Sequence, residues 1–252
     1  MNKGFLNFAI VIGCSTYLLH SPTYQQLSKQ VTIVDSEFQQ SVENPSQRKQ
    51  LISSILEGSK IPYCNGVDYD PEGKFLIKFM SSHFPNTNID EDTLLKQYHH
   101  HNSAYTISDL SLRGTKQSTR IFLGDGLFTN PDFKNKEDIK HAIMVHEGHH
   151  ATQFGEGIRF DPPNIVELVL NGKIKFDVIM DVAELDANAE GLKRMHEFNV
   201  SDAYRNATVS EFNKRLSSLE VALINTSPEQ QSYINAVLSQ FKPVSLQLPE
   251  LY

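Results

Sequence analysis

The chain has 252 residues, 39% hydrophobic and 10% aromatic, enough to bury a sizeable core and too apolar to be a disordered polymer. Its formal net charge of −7, with no basic stripe, excludes nucleic acid as a principal partner. Cys14 and Cys64 are its only cysteines, so no disulfide framework holds it together.

Met1-Asn2-Lys3 makes a short basic start, and Gly4 to Gly13 is apolar apart from Asn7. That is the length of a signal-peptide core and short for a bilayer span. Val11-Ile12-Gly13-Cys14 resembles a bacterial lipobox, in which the cysteine is lipidated, although Tyr17-Leu18-Leu19 is more apolar than a usual lipoprotein tether. Residues 1–20 are therefore expected to be a signal peptide or lipoprotein signal, with Cys14 as the lipidation candidate. Ordinary cleavage near residues 20–25 and a retained N-terminal helix are the alternatives. The expected location is outside the cytoplasm: periplasmic, secreted, or attached to a bacterial envelope through the N-terminus. The polar, Gln- and Ser-rich stretch 21–46 reads as a tether, and residues 47–252 as one domain.

Within that domain, Arg48 to Leu56 reads as a helix closed by Gly58, and a second runs from Pro71 to about Phe84, ahead of Pro85. Asp90 to Tyr98 is a third, short one. Cys64 reads as a small buried residue. His99-His100-His101 is a solvated loop cluster, because adjacent residues share no helix face. Tyr105 to Leu110 alternates as a strand and pairs with Thr119 to Gly124 through a turn near Gly114.

The next helix carries the chemistry. Asp138 to Val145 is apolar at 139, 142, 143 and 145, with Asn135 or Asp138 as cap and Phe154-Gly155 as a stop, Gly157 and Pro162-Pro163 standing behind it. It continues into His146-Glu147-Gly148-His149-His150, which spells H-E-x-x-H. Imidazoles four positions apart lie about 40° apart on a helix, so His146 and His150 can reach one metal ion. Glu147, about 100° from His146, is placed to reach a water there as general base. His149 is expected to pack or face solvent.

Catalytic zinc usually takes three protein ligands and keeps one position open. The third is sought on the long helical run from Ile174 to Phe198. There Glu184 shares a face with Asp177, Asp181, Ala187, Asn188 and Gly191, where small residues allow close helix approach. A carboxylate between packed helices needs a partner. Glu184 is the favoured ligand and Asp181 the runner-up. Asp181 or Asn188 could accept the second ring N–H of a ligand histidine and fix its tautomer. Helices at Asp202 to Ile224 and Pro228 to Phe241 follow, then an extended tail from Pro243.

The strings His146-Glu147-Gly148-His149-His150-Ala151-Thr152-Gln153 and Glu184-Leu185-Asp186-Ala187 resemble the pattern H-E-x-x-H-x-x-Q followed by E-x-[DE]-A, as in zincin metallopeptidases of the gluzincin type. The likeness covers roughly residues 118–198. It implies an α+β, mostly helical fold: a zincin-like core with a small sheet in front of an active-site helix, and a second, ligand-bearing helix. It implies Zn2+ held by His146, His150 and Glu184, with Glu147 as base. It also implies that the strand before the zinc helix, residues 119–124, lines the cleft and pairs with an extended substrate. The expected activity is zinc-dependent hydrolysis of peptide bonds in a peptide or protein substrate. Tyr98, His99, His196 and Tyr204 are candidates to steady the oxyanion. The rival expectation is a non-catalytic exported or envelope protein that keeps the zincin-like scaffold for metal binding. A metal-dependent hydrolase of non-peptide amides is a third reading. Oligomeric state and cleavage preference are not encoded in these motifs.

Overall fold

A computed structural model describes residues 9–13, 35–83, 90–92, 95–96, 104–109, 118–224 and 226–247. The chain is α+β and mostly helical. Among the described residues four strands, β1 (Ala9–Gly13), β2 (Gly66–Tyr69), β3 (Ala104–Asp109) and β4 (Ser118–Leu123), form one sheet in the order β1-β3-β4-β2. The β1/β3 and β3/β4 pairs are antiparallel, and β2/β4 is parallel.

Strand alternation gives the sheet two distinct faces. Tyr105, Ile107 and Phe122 meet Leu76, Phe79 and Met80 of helix α3 (Lys74–His83). The opposite face carries Ala104, Ile121 and Leu123, which join the main core, and Thr106, which points at the helix behind the sheet.

That helix, α5, is assembled from Lys136–His141, a π-helical stretch Ala142–Glu147, and Gly148–Glu156. Both cap candidates are used. The Asn135 side chain accepts from the Asp138 amide, and Asp138 accepts in return from the Asn135 amide, a reciprocal capping box. Gly155 is not the stop. It lies under the ring of Tyr63, where an added Cβ would approach within 2.3 Å, and the helix ends at Gly157 with φ 92°.

Helix α7 (Phe176–Arg194) lies against α5 and ends in a 3₁₀ turn, Met195–Glu197. Helices α8 (Asp202–Ala222) and α9 (Pro228–Gln247) complete the core through Phe212, Leu216, Leu219, Ile234, Val237 and Phe241. The short helices α4 (Gly126–Thr129) and α6 (Ile165–Leu170) bracket α5 in sequence.

Further expectations change. From Asp35 onward the supposed tether is structured: α1 (Ser36–Glu43) and α2 (Pro45–Leu56) form two helices, and Phe38 is buried against the core. Arg48 explains why they pack there. It donates to the carbonyls of Ser41 and Val42, pairs with Asp125 at 2.8 Å, and lies over the ring of Phe128. The final helix runs on to Gln247, past the point where an extended tail was expected. Strand β4, expected at the cleft edge, is internal, and β3 lies between it and β1. The turn near Gly114, His99-His100-His101 and Cys14 lie outside the described residues, as do residues 93–94 and 97–98 of the helix expected at 90–98, whose residues 91–92 and 95–96 are helical. Cys64 is half-buried, and burial pushes its thiol pKa up. Among the described residues no helix is long and apolar enough to cross a membrane.

His141 joins α5 to its neighbours. Its Nδ1 lies 3.0 Å from the Tyr204 hydroxyl and its Nε2 3.0 Å from the Gly191 carbonyl. A Cβ on residue 191 would come within 3.3 Å of the His141 ring, so the glycine permits this approach. Burial pushes the His141 pKa down to about 4. The unfolded chain therefore takes up a proton before the native one does, and stability is lost as pH falls from about 6.5 toward 4. Chemical denaturation of wild type and His141→Gln across this range should show wild type losing about 3 kcal/mol more than the variant. Parallel pH profiles would show that His141 titrates normally.

Candidate metal centre

His146 sits at the end of the π-helical stretch and His150 on the α-helical turn that follows. The wide turn is closed by the Gly148 amide, which donates to the Ile143 carbonyl five residues back. Gly148 also lets the loop before β2 come close, since a Cβ there would meet Ile61 at 3.3 Å. Across the helix pair, α7 brings Glu184 to both imidazoles.

His146, His150, Glu147 and Glu184 are all buried. Nε2 of His146 and Nε2 of His150 lie 3.3 Å apart. Glu184 places Oε2 3.5 Å from the first and Oε1 3.6 Å from the second. Metal bonds of about 2.0–2.1 Å at tetrahedral angles set neighbouring donor atoms about 3.3–3.4 Å apart, which the separation of the two imidazole nitrogens matches, while the two carboxylate oxygens each approach one ring. Oε1 of Glu184 is buried with no hydrogen-bond partner. An unsatisfied carboxylate oxygen in such a place is costly unless a cation meets it. These three residues could hold a metal ion.

The electrostatics agree with the geometry. Burial pushes His146 down to about 3 and His150 to about 4, so both rings are neutral and offer lone pairs near pH 7. Burial raises Glu184, against the opposing pull of His150 and Arg215. Glu147 is pushed up to about 8 by burial, with the Glu184 charge adding to the rise. The Thr106 hydroxyl opposes this by donating to Glu147 Oε2 at 2.6 Å, which also fixes the carboxylate toward β3.

Comparison of the chain with known protein families, curated proteins and solved structures returned no match.

The structure brings His146, Glu147, His150 and Glu184 together as expected, and redirects the supporting residues. Asp181 is engaged by Arg215 at 2.7 Å and by the Ser218 hydroxyl at 2.5 Å, as an ion pair between α7 and α8. Asn188 donates its amide to the Glu184 carbonyl, one turn back on its own helix. The residue at the second nitrogen of His150 is Gln153, at 2.8 Å. Its place was readable, since i,i+3 spacing stacks it on His150. Thr106 had no local signal, because its strand is far from the motif in sequence. Of the oxyanion candidates, Tyr204 is taken by His141 and His196 binds the Lys193 carbonyl through Nδ1. Tyr98 and His99 lie outside the described residues.

A buried carboxylate with one bare oxygen predicts a stability signature. With a chelator present, Glu184→Gln should be more stable to urea than wild type by about 1–3 kcal/mol, because a neutral amide is cheaper to bury and can donate to an imidazole. A loss of more than about 1 kcal/mol would mean the carboxylate already has its partner within the protein.

Proposed function

We propose that this protein is a zinc-dependent peptidase with a zincin-like core of the gluzincin type. The observation that carries the reading is the unsatisfied Oε1 of Glu184, buried beside two neutral imidazoles, with the Glu147 carboxylate on the same helix turn. His146, His150 and Glu184 would hold the metal. A bound zinc would polarise the scissile carbonyl and lower the pKa of water toward roughly 7. Glu147, whose pKa a bound cation would draw down from about 8 so that the group is ionised, accepts the proton of the attacking water on its carboxylate and delivers it to the leaving amine. Thr106 holds that carboxylate in place through both the transfer and the return. Burial of the site keeps bulk water from competing for the proton.

Export through the N-terminal segment, with Cys14 as the lipidation candidate, belongs to the same proposal. Strand β1 uses residues 9–13, which lie inside that segment. Cleavage near residues 20–25 would remove β1 and leave β3 as the sheet edge, with Thr106 and the metal centre beside it. An open antiparallel edge there would accept an extended peptide by strand addition. The strand offered to substrate is thus β3, one place over from β4.

A non-catalytic metal-binding role is the second reading. It is favoured by the engagement of Tyr204 and His196 elsewhere, which leaves neither free to steady an oxyanion. Elemental analysis and cleavage of an unfolded protein separate the two. Wild type should carry one zinc per chain and cleave. Glu184→Ala should lose the metal, and His150→Ala both metal and cleavage. Glu147→Gln should keep zinc while losing at least about 100-fold in rate, the contribution of a general base. Full activity in Glu147→Gln would reject that residue as the base. Stoichiometric zinc with no cleavage by the mature protein would favour the binding role.

A further inference from the structure

Gln153 is held at both ends of its side chain. Its Nε2 lies 3.0 Å from the carbonyl oxygen of Ala183 and 3.1 Å from Oδ2 of Asp186. His149 approaches the same carboxylate oxygen through its own Nε2, at 2.7 Å. A carbonyl and an ionised carboxylate only accept hydrogen bonds, so the amide end facing them must be the NH2 group. Turning the amide over would set its oxygen against two others. Oε1 is therefore the atom that faces Nδ1 of His150, 2.8 Å away. An amide oxygen also only accepts, so Nδ1 carries the proton. A neutral imidazole protonated at Nδ1 keeps its lone pair on Nε2, the atom directed at His146 and Glu184.

We propose that Gln153 and Asp186 are positioning residues of the metal centre, locking His150 in the tautomer that presents Nε2 as a ligand. The inference rests on reading His146, His150 and Glu184 as that centre. It gives a physical role to two residues outside the ligand set, Gln153 on α5 and Asp186 on α7. It also ties the tautomer to the docking of the two helices, because Ala183, Asp186 and Glu184 all belong to α7. When α7 brings the third ligand into place, the same contact orients the Gln153 amide. Partners of this kind contribute about 10–100-fold to metal affinity.

Long-range 1H–15N correlation spectra of the full-length, metal-free protein read the ring directly. Wild-type His150 should be protonated at Nδ1 and bare at Nε2. Gln153→Met keeps the length of the side chain without the amide. It should mix the two tautomers and weaken zinc binding by about 10–100-fold in competition with a chromophoric chelator. Asp186→Ala should cost less, since the Ala183 carbonyl still orients the amide. A wild-type His150 protonated at Nε2 would overturn the proposal, as would zinc affinity in Gln153→Met within about twofold of wild type. Wild-type protein that bound no zinc but showed the Nδ1–H ring would overturn the metal reading and leave the tautomer lock established.

Discussion

One carboxylate oxygen organises this molecule. Oε1 of Glu184 is buried on the inner face of α7 without a hydrogen bond, beside two imidazoles that burial keeps uncharged. Asp132 Oδ2 and Glu229 Oε2 are also buried without a hydrogen bond, but Glu184 Oε1 is the one that lies in a group of residues able to hold a metal ion, where a cation would offset its desolvation penalty. The surrounding structure accepts that penalty through rigid support. Arg215, paired with Asp181 and Glu211, places a fixed positive charge whose field reaches Glu184. The core residues of α8 and α9 then hold α7 against α5.

The close approach of these two helices depends on small residues and on polar bridges. Gly191 admits the His141 ring, and His141, Gln153 and His149 each bond a group on α7. A polar, hydrogen-bonded interface fixes register where a purely apolar one would tolerate sliding. A metal centre needs that registration, because a shift of one ångström would take a donor out of bonding reach of an ion shared by the three residues. The sheet contributes from the other side: β3 delivers Thr106 to Glu147, while β4 anchors β3 through the Ser108–Thr119 hydroxyl pair.

Much of this was readable from residue order. The spacing of His146 and His150, the Asn135–Asp138 cap, the paired strands at 105–110 and 119–124, and the long helix bearing Glu184 all follow from local periodicity. Gly191 was readable as a point of close helix contact for the same reason. The features that escaped are those set by tertiary contact. The π-helical stretch before His146 has no compositional mark. Asp181 and Asn188 share the Glu184 face in a helical wheel, yet which face meets α5 and which meets α8 is decided by packing, and Asp181 turned to Arg215. The stretch before residue 47 reads as polar and tether-like, but Phe38 and Arg48 give its two described helices a buried anchor that average composition conceals.

X-ray absorption at the zinc edge of the metal-loaded protein tests the central claim most directly. Two histidines and a glutamate predict a nearest shell of nitrogen and oxygen alone, at about 2.0–2.1 Å, with the outer scattering of two imidazole rings. A sulfur shell, or scattering from fewer than two imidazoles, would contradict the assignment of His146, His150 and Glu184.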